Sequence, residues 1–277
     1  MLRLAVIGDA PGIEKIIALA SEPIRGASVA LSRAAACGHL DCVRMLLPTV
    51  GRAARSIALQ HAAEHGHAEC VAALMPLCDP RADSSLALCK AAANGREHCV
   101  LLLAPVSNPK ARNSEALRMA AKNGHAECVK ALLSISDPTA GGYQALLLAA
   151  TNGQLACAQL LAPASNAFAW DSGAFRAACS GGHLECALLL FSLCDPMAIR
   201  GEALRAAAAN GHARVVEALL RLRPDHGQFC SLEALRQVAA ALGHVDVERI
   251  LMAAIERDLL DNASAEFSLE PRDRPRL

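Results

Sequence analysis

Short groups of apolar residues recur along the chain, each with the spacing of one face of an α-helix. Residues 114 to 142 show the arrangement most clearly. Leu117, Ala120 and Ala121 lie three and four residues apart, so they share one helical face. A second apolar group consists of Cys128, Val129, Leu132 and Leu133. The pattern predicts two short amphipathic helices, one after the other.

Polar residues, glycine and proline mark the ends of these helices. Ser114 is a candidate cap for the first helix, because a serine oxygen accepts the free amide N–H groups there. Gly124 ends that helix, since glycine adopts the left-handed conformation of a C-cap without steric cost. Pro138 follows the second helix, and proline lacks an amide donor and restricts the residue before it. In other copies an earlier proline closes the second helix: Pro76, Pro105 and Pro163.

The same helix-turn-helix pattern repeats along most of the chain. The glycines of the central turn are separated by 28, 29, 29, 29, 29, 29 and 32 residues: Gly38, Gly66, Gly95, Gly124, Gly153, Gly182, Gly211 and Gly243. Gly8 marks an additional, truncated copy at the start. Two short helices cannot bury an apolar face alone, so neighbouring pairs must stack on one another. The sequence therefore predicts a solenoid.

The period also predicts how the chain is divided. We expect a truncated capping repeat at residues 1–27, a capping repeat at 231–258 and a disordered, proline-containing tail at 259–277. Seven repeats fill residues 28–230 and start near 28, 56, 85, 114, 143, 172 and 201.

Composition agrees with closely packed helices and narrows the classes of partner. Hydrophobic residues make up 53% of the chain but aromatic residues only 3%, so the core must consist of small and aliphatic side chains. The formal net charge is zero, with 27 basic and 27 acidic residues, which disfavours nucleic acid and anionic membranes as partners. No apolar run is long enough to span a bilayer, and no secretion signal is recognisable at the start. We expect a cytoplasmic protein with reduced thiols.

Histidine and cysteine recur together at a spacing that resembles a metal-binding motif. His39, His67, His125 and His183 each stand three residues before a cysteine of the column Cys42, Cys70, Cys99, Cys128, Cys157 and Cys186. Neighbouring helices pack about 8–10 Å apart, too far for a disulfide, and zinc needs four converging ligands. We therefore interpret the cysteines as small buried residues and the histidines as partners of turn backbone groups. No nucleotide-binding loop or catalytic motif is present, so we expect no metal, no cofactor and no catalytic residue.

The run from Leu117 to Leu133 resembles the helix-turn-helix of the ankyrin repeat, and similar runs cover roughly residues 1 to 252. Two features depart from that family. The sequence Glu115-Ala-Leu-Arg118 replaces the usual Thr-Pro-Leu-His opening, and the period is four residues shorter than 33. The missing residues fall where ankyrin repeats carry a β-hairpin finger. The resemblance implies an all-α, ankyrin-like helix-turn-helix solenoid with shortened hairpin fingers and little or no strand.

The resemblance also implies a function. We expect a non-enzymatic, monomeric scaffold for a protein partner, with no small-molecule substrate. An alternative is a microbial effector that is delivered into a host cell and binds a host protein through its repeats. A third reading, an enzyme or metal carrier, is disfavoured by the scattered acid, base and thiol groups.

Positions that differ between copies are free to be exposed, and repeat proteins build binding surfaces from them. Early copies place charged residues in the loop after Asp/Asn-Pro, whereas later copies place large apolar residues there. The candidate partner-binding residues are Arg112, Lys122, Tyr143, Phe168, Trp170, Met197 and Ile199. Alternatively, Phe168 and Trp170 pack beneath their own loop. A column of first-helix arginines fits either a binding surface or solvated helix charges, and we favour the latter: Arg118, Arg176, Arg205 and Arg236.

Overall fold

A computed structural model describes residues 1–19, 26–165, 169–193, 201–222 and 231–268 of the 277-residue chain. These residues form α-helices joined by short turns, and none of them lies in a β-strand. The chain divides into two compact units, Met1–Asn166 and Ala167–Leu277. The all-α prediction is confirmed.

In the described part of the first unit, twelve α-helices form six consecutive pairs. They are α1 Leu2–Ile7, α2 Ala10–Leu19, α3 Ala27–Cys37, α4 Leu40–Leu46, α5 Arg52–His65, α6 Ala68–Leu74, α7 Ala82–Ala93, α8 Glu97–Leu103, α9 Ala111–Asn123, α10 Ala126–Leu133, α11 Ala140–Thr151 and α12 Leu155–Leu161. The first helices of successive pairs contact one another, and the second helices form a parallel row behind them. The second unit has the same arrangement with α13 Ala169–Ser180, α14 Leu184–Phe191, α15 Glu202–Ala209, α16 Ala213–Leu222, α17 Leu232–Ala241 and α18 Val245–Ser268.

The core lies between the two rows of helices and consists of aliphatic columns. The first helices contribute leucines that are at most 1% exposed: Leu31, Leu59, Leu88, Leu117 and Leu146. The second helices contribute leucines with no exposed surface: Leu46, Leu74, Leu103, Leu132, Leu161 and Leu190. Burial of one such side chain stabilises the fold by about 2 kcal/mol, so the repeated columns explain how short helices with few aromatic residues hold together.

Prolines end the second helices, as the sequence predicts. Pro48 and Pro76 lie in short 3-10 turns, Leu47–Thr49 and Met75–Leu77, that directly follow α4 and α6. Pro105 comes two residues after the end of α8. The helices α4, α6 and α8 are therefore only seven residues long, about two turns.

A left-handed turn stands at the start of α7 and α9, where other ankyrin-like folds would carry a finger. Asp83, Ser84 and Ser85 have φ of 51°, 60° and 64°, and the equivalent residues of α9 have φ of 49°, 57° and 56°. Right-handed helix begins only after this turn. Three consecutive non-glycine residues with positive φ are strained, because the Cβ approaches the carbonyl oxygen.

Two sequence expectations are corrected by this geometry. Ser114 does not cap α9: it lies in the left-handed turn, is 1% exposed, and its Oγ accepts the amide N–H of Asp137, in the loop after α10, at 2.9 Å. Ser85 accepts the amide N–H of Asn108 in the same way, at 2.8 Å. The disordered tail does not begin at residue 259, since α18 continues to Ser268. Residues 269–277 lie outside the described residues.

Candidate protein-binding surface

Histidines at several of the turns form a hydrogen bond to the repeat before them. The ring Nε2–H donates to a backbone carbonyl of the preceding first helix at 2.8–3.1 Å in five pairs: His39 with Val6, His67 with Ala36, His125 with Ala93, His212 with Ser180 and His244 with Ala209. Arg96 replaces histidine in one repeat and donates from Nε to the carbonyl of Glu64 at 3.2 Å. The prediction that this column satisfies turn backbone groups is confirmed for His39, His67 and His125. A ring nitrogen that donates a hydrogen bond cannot also bind a metal.

The cysteine column is part of the core. Its six members are at most 1% exposed, which confirms their prediction as small buried residues: Cys42, Cys70, Cys99, Cys128, Cys157 and Cys186. Burial raises the pKa of the Cys70 and Cys128 thiols to about 11, so both stay protonated at neutral pH. Among the residues that the structure describes, no three histidine, cysteine, aspartate or glutamate side chains are grouped as metal ligands would be.

The exposed face of the first helices carries a groove between α3 and α5. Val29 and Ile57 line it and are 53% and 47% exposed. Ala36 and Ala54 form part of its wall, and short serines at 28 and 32 keep it open. Isolated exposed aliphatic residues are ordinary, but two of them on adjacent helices around small residues form a contiguous apolar surface.

The polar rim of this groove has an unbalanced charge. Glu64 accepts a hydrogen bond from the Lys90 ammonium at 2.8 Å, which lowers the pKa of its carboxyl group and neutralises both charges. Burial and the nearby Lys90 ammonium lower the pKa of His61. The guanidinium of Arg33 is exposed and makes no ion pair with any described residue. The groove therefore offers an apolar floor with one uncompensated cation.

Comparison with protein families decides the identity of these repeats. A family model of ankyrin repeats, three copies long, matches residues 31–113 and again residues 88–171, together just over half of the chain. The chain belongs to the ankyrin repeat family. No curated protein matches it significantly. Ankyrin repeats generally mediate protein–protein interaction, and none of the described helices is both long and apolar enough to cross a membrane.

Three of the predicted binding residues lie in the ankyrin repeats of the first unit. Arg112 is exposed in the left-handed turn at the start of α9, and Lys122 is exposed near the end of α9. Tyr143 is half-buried at the start of α11, with a φ of 64°. Arg118 links two of these positions, since it donates to the carbonyl of Arg112 at 3.0 Å and to the side chain of Gln144, the neighbour of Tyr143.

The other predicted binding residues are not described. Phe168, Met197 and Ile199 lie outside the described residues. Trp170 belongs to α13, but its side chain is outside them as well. The partner-binding role of these four residues therefore stays a prediction, as does the alternative that Phe168 and Trp170 pack beneath their own loop.

The arginine column differs from the expectation of solvated helix charges. Arg118 and Arg176 reach across to the next first helix, where they contact Gln144 and Glu202. Arg236 forms ion pairs with Glu233 at 2.7 Å and Glu248 at 3.1 Å. Arg205 remains exposed. Most of this column therefore joins neighbouring helices.

Sequence reasoning missed the groove between α3 and α5. A usable signal was present, because the column that holds Glu115, Gln144 and Glu202 in later repeats holds Val29 and Ile57 in the early ones. Exposed apolar residues in a column that is polar in later repeats indicate a surface that binds a partner.

Proposed function

We propose that this chain is a non-enzymatic scaffold that holds a protein partner in the groove between α3 and α5. Membership of the ankyrin repeat family supports the general role. The observation that carries the specific site is the pair Val29 and Ile57, about half exposed and side by side on the first-helix face. Contiguous exposed apolar side chains with a polar rim mark protein interaction sites.

The charge of the groove selects the chemistry of the partner. Glu64 is already neutralised by Lys90, whereas Arg33 is exposed at the rim. A partner that brings a carboxylate close to Arg33 gains a charge-assisted contact, and its apolar side chains cover Val29 and Ile57. We therefore propose an amphipathic segment with acidic and apolar residues as the bound element.

The residues Arg112, Lys122 and Tyr143 form a second, weaker contact in this proposal. Lys122 is exposed one helical turn after Arg118, on the same side of α9, and makes no ion pair with any described residue. A partner that extends beyond the groove can place its own carboxylates near Lys122. A contact of this kind at the rim of an interface raises the rate of association more than the final affinity.

Several observations support a binding role without catalysis, in the cytoplasm. The turn histidines use Nε2 to hold backbone carbonyls, and the column thiols are protonated in the core. Neither group is available as a base or nucleophile. Protonated, buried thiols are also suited to a reducing compartment.

Peptide selection tests this proposal. Random 16-residue peptides displayed on phage are selected on the immobilised full chain, and enriched peptides are synthesised for calorimetry. We expect acidic and apolar sequences whose affinity falls at least tenfold in the double variant Val29→Ser/Ile57→Ser. Arg33→Gln should weaken the same peptides by a smaller factor, about three- to tenfold, because only one exposed ion pair is lost.

Matched variants on the second helices serve as controls. Leu101 in α8 is 52% exposed, and Arg44 in α4 carries an exposed guanidinium. Leu101→Ser and Arg44→Gln should leave peptide binding unchanged. The proposal is wrong when the groove variants bind the selected peptides as tightly as the wild type, or when selection enriches basic peptides.

A further inference from the structure

An apolar stripe runs along the outer face of α18 in the second unit. Val245, Met252 and Leu259 are 71%, 46% and 64% exposed and lie seven residues apart. Seven residues are two helical turns, so the three side chains follow one another along a single line. The opposite face of the helix is already used, since Val247 and Leu251 are fully buried against the neighbouring helices.

The middle of the stripe has the shape of a helix-packing site. Met252 projects beside Ala253, and the two line a shallow groove along the helix surface. A large side chain next to a small one allows a second helix to come close, with methionine filling the space that alanine leaves. Soluble proteins rarely leave a contiguous apolar surface uncovered, so an exposed apolar stripe of regular spacing beside a groove indicates a partner.

The charges beside the stripe indicate which partner fits. Arg249 and Glu256 stand on the groove walls, seven residues apart, on either side of Met252 and Ala253. A two-fold axis between Met252 and Ala253 brings Arg249 of one copy opposite Glu256 of the other, and the reverse pair forms at the same time. The same axis places Met252 against the partner copy's Ala253 and Val245 near its Leu259. The surface is therefore complementary to itself in the antiparallel direction.

We propose that two copies of this chain associate through α18 as an antiparallel, two-fold symmetric helix pair. In the isolated chain Arg249 contacts Asp246 at 2.7 Å, but both side chains are more than 70% exposed, so this pair is easily exchanged for Glu256 of the second copy. Two single helices bury an area at or below the lower end of stable interfaces, about 1,200 Å². The dimer is accordingly weak, with a dissociation constant on the order of tens of micromolar. This proposal replaces the monomer expected from the sequence and is independent of the groove between α3 and α5.

Sedimentation velocity of the full chain between about 5 and 500 µM tests the proposal. We expect the wild type to shift from monomer to dimer across this range and Met252→Glu to remain monomeric. Arg249→Glu and Glu256→Arg should each weaken dimerisation at least tenfold, since like charges then face each other. The double variant Arg249→Glu/Glu256→Arg restores opposite charges and should return the dissociation constant to within about threefold of the wild type.

Controls separate this contact from other causes. Leu101→Glu introduces a charge at an exposed aliphatic residue of the first unit and should leave dimerisation unchanged. Helical circular dichroism confirms that each variant is folded. A wild type that stays monomeric at 500 µM overturns the proposal and assigns the stripe to another protein or to residues 269–277. A dimer that survives Met252→Glu, or that the double charge exchange does not restore, overturns it as well.

Discussion

The imidazole of His67 lies directly over Gly38 of the preceding repeat. Its Nε2 donates to the carbonyl of Ala36 at 2.9 Å, and a Cβ on Gly38 would come within 2.5 Å of its Nδ1. Gly38 also has a φ of 79°, which an L-residue adopts only with strain. Glycine is therefore required at this turn for two reasons: the backbone conformation, and the space that His67 of the next repeat occupies.

Gly38→Ala should destabilise the protein by roughly 2–3 kcal/mol. The strain of positive φ contributes about 1–2 kcal/mol, and displacement of the His67 ring costs about one hydrogen bond more. Urea unfolding followed by circular dichroism measures the change in the free energy of unfolding.

Two other glycines of the first unit separate these causes. Gly26 has a φ of 81° but open space around its Cβ position, so Gly26→Ala should cost only the strain of about 1–2 kcal/mol. Gly51 has a φ of −80° and equally open surroundings, so Gly51→Ala should change stability by no more than about 0.5 kcal/mol. Equal losses for Gly38→Ala and Gly26→Ala would show that the histidine contact contributes nothing.

Ser84→Gly should stabilise the protein by about 0.5–1 kcal/mol. Ser84 is exposed and has a φ of 60°, so glycine relieves strain there, although the unfolded chain gains some freedom. At the start of α11, two first helices further on, the chain has a glycine at the position equivalent to Asp83, where Gly141 has a φ of 64°. Thermal unfolding of the variant should show a higher midpoint, and an unchanged or lower midpoint would mean that this turn is not left-handed.

Ser85→Ala, in contrast, should destabilise by about 1–3 kcal/mol. Ser85 is fully buried, and its Oγ is the acceptor for the amide N–H of Asn108 in the loop after α8. Alanine keeps the backbone strain and leaves this partly buried amide without its protein partner. Ser84→Ala is the matched control, since Ser84 lies in the same turn and is exposed, and we expect a change within about 0.5 kcal/mol.

The helices and the histidine contacts at the turns could be predicted from the sequence, because both depend on residues that lie close together in the chain or recur at a fixed step. His67 and Gly38 belong to regular columns, so their roles could be inferred before any geometry was known. Ser114 was misjudged for the opposite reason. Its hydrogen-bond partner is the amide of Asp137, 23 residues away, and local helix-capping rules cannot anticipate a donor so distant in the chain.

The binding surface could be predicted only in part. Arg112 and Lys122 are exposed, as expected of variable positions. The apolar groove was missed because variability alone does not distinguish an exposed Val29 from a buried one. That distinction depends on how α3 and α5 pack, which the helical period does not specify. The stripe on α18 was not recognised because its last member, Leu259, was assigned to the tail and not to a helix.

The buried thiols make the stability of the fold sensitive to alkaline pH. Burial raises the pKa of Cys70, Cys78, Cys89 and Cys128 from the ordinary value of 9.0 to about 11. The folded state therefore holds these protons more tightly than the unfolded state. Their contribution to stability is fully present below about pH 9 and is lost as the pH rises from 9 through 11.

The free energy of unfolding should accordingly decrease by roughly 1 kcal/mol for each of these thiols between pH 8 and pH 10. Urea titrations at half-unit steps of pH measure this slope. Lysine and tyrosine also ionise in this range, so the double variant Cys70→Ala/Cys128→Ala provides the comparison. It should be less stable than the wild type at pH 8, because two buried side chains are shortened, yet lose less stability between pH 8 and pH 10. Parallel slopes in the two proteins would mean that these thiols do not control the alkaline transition.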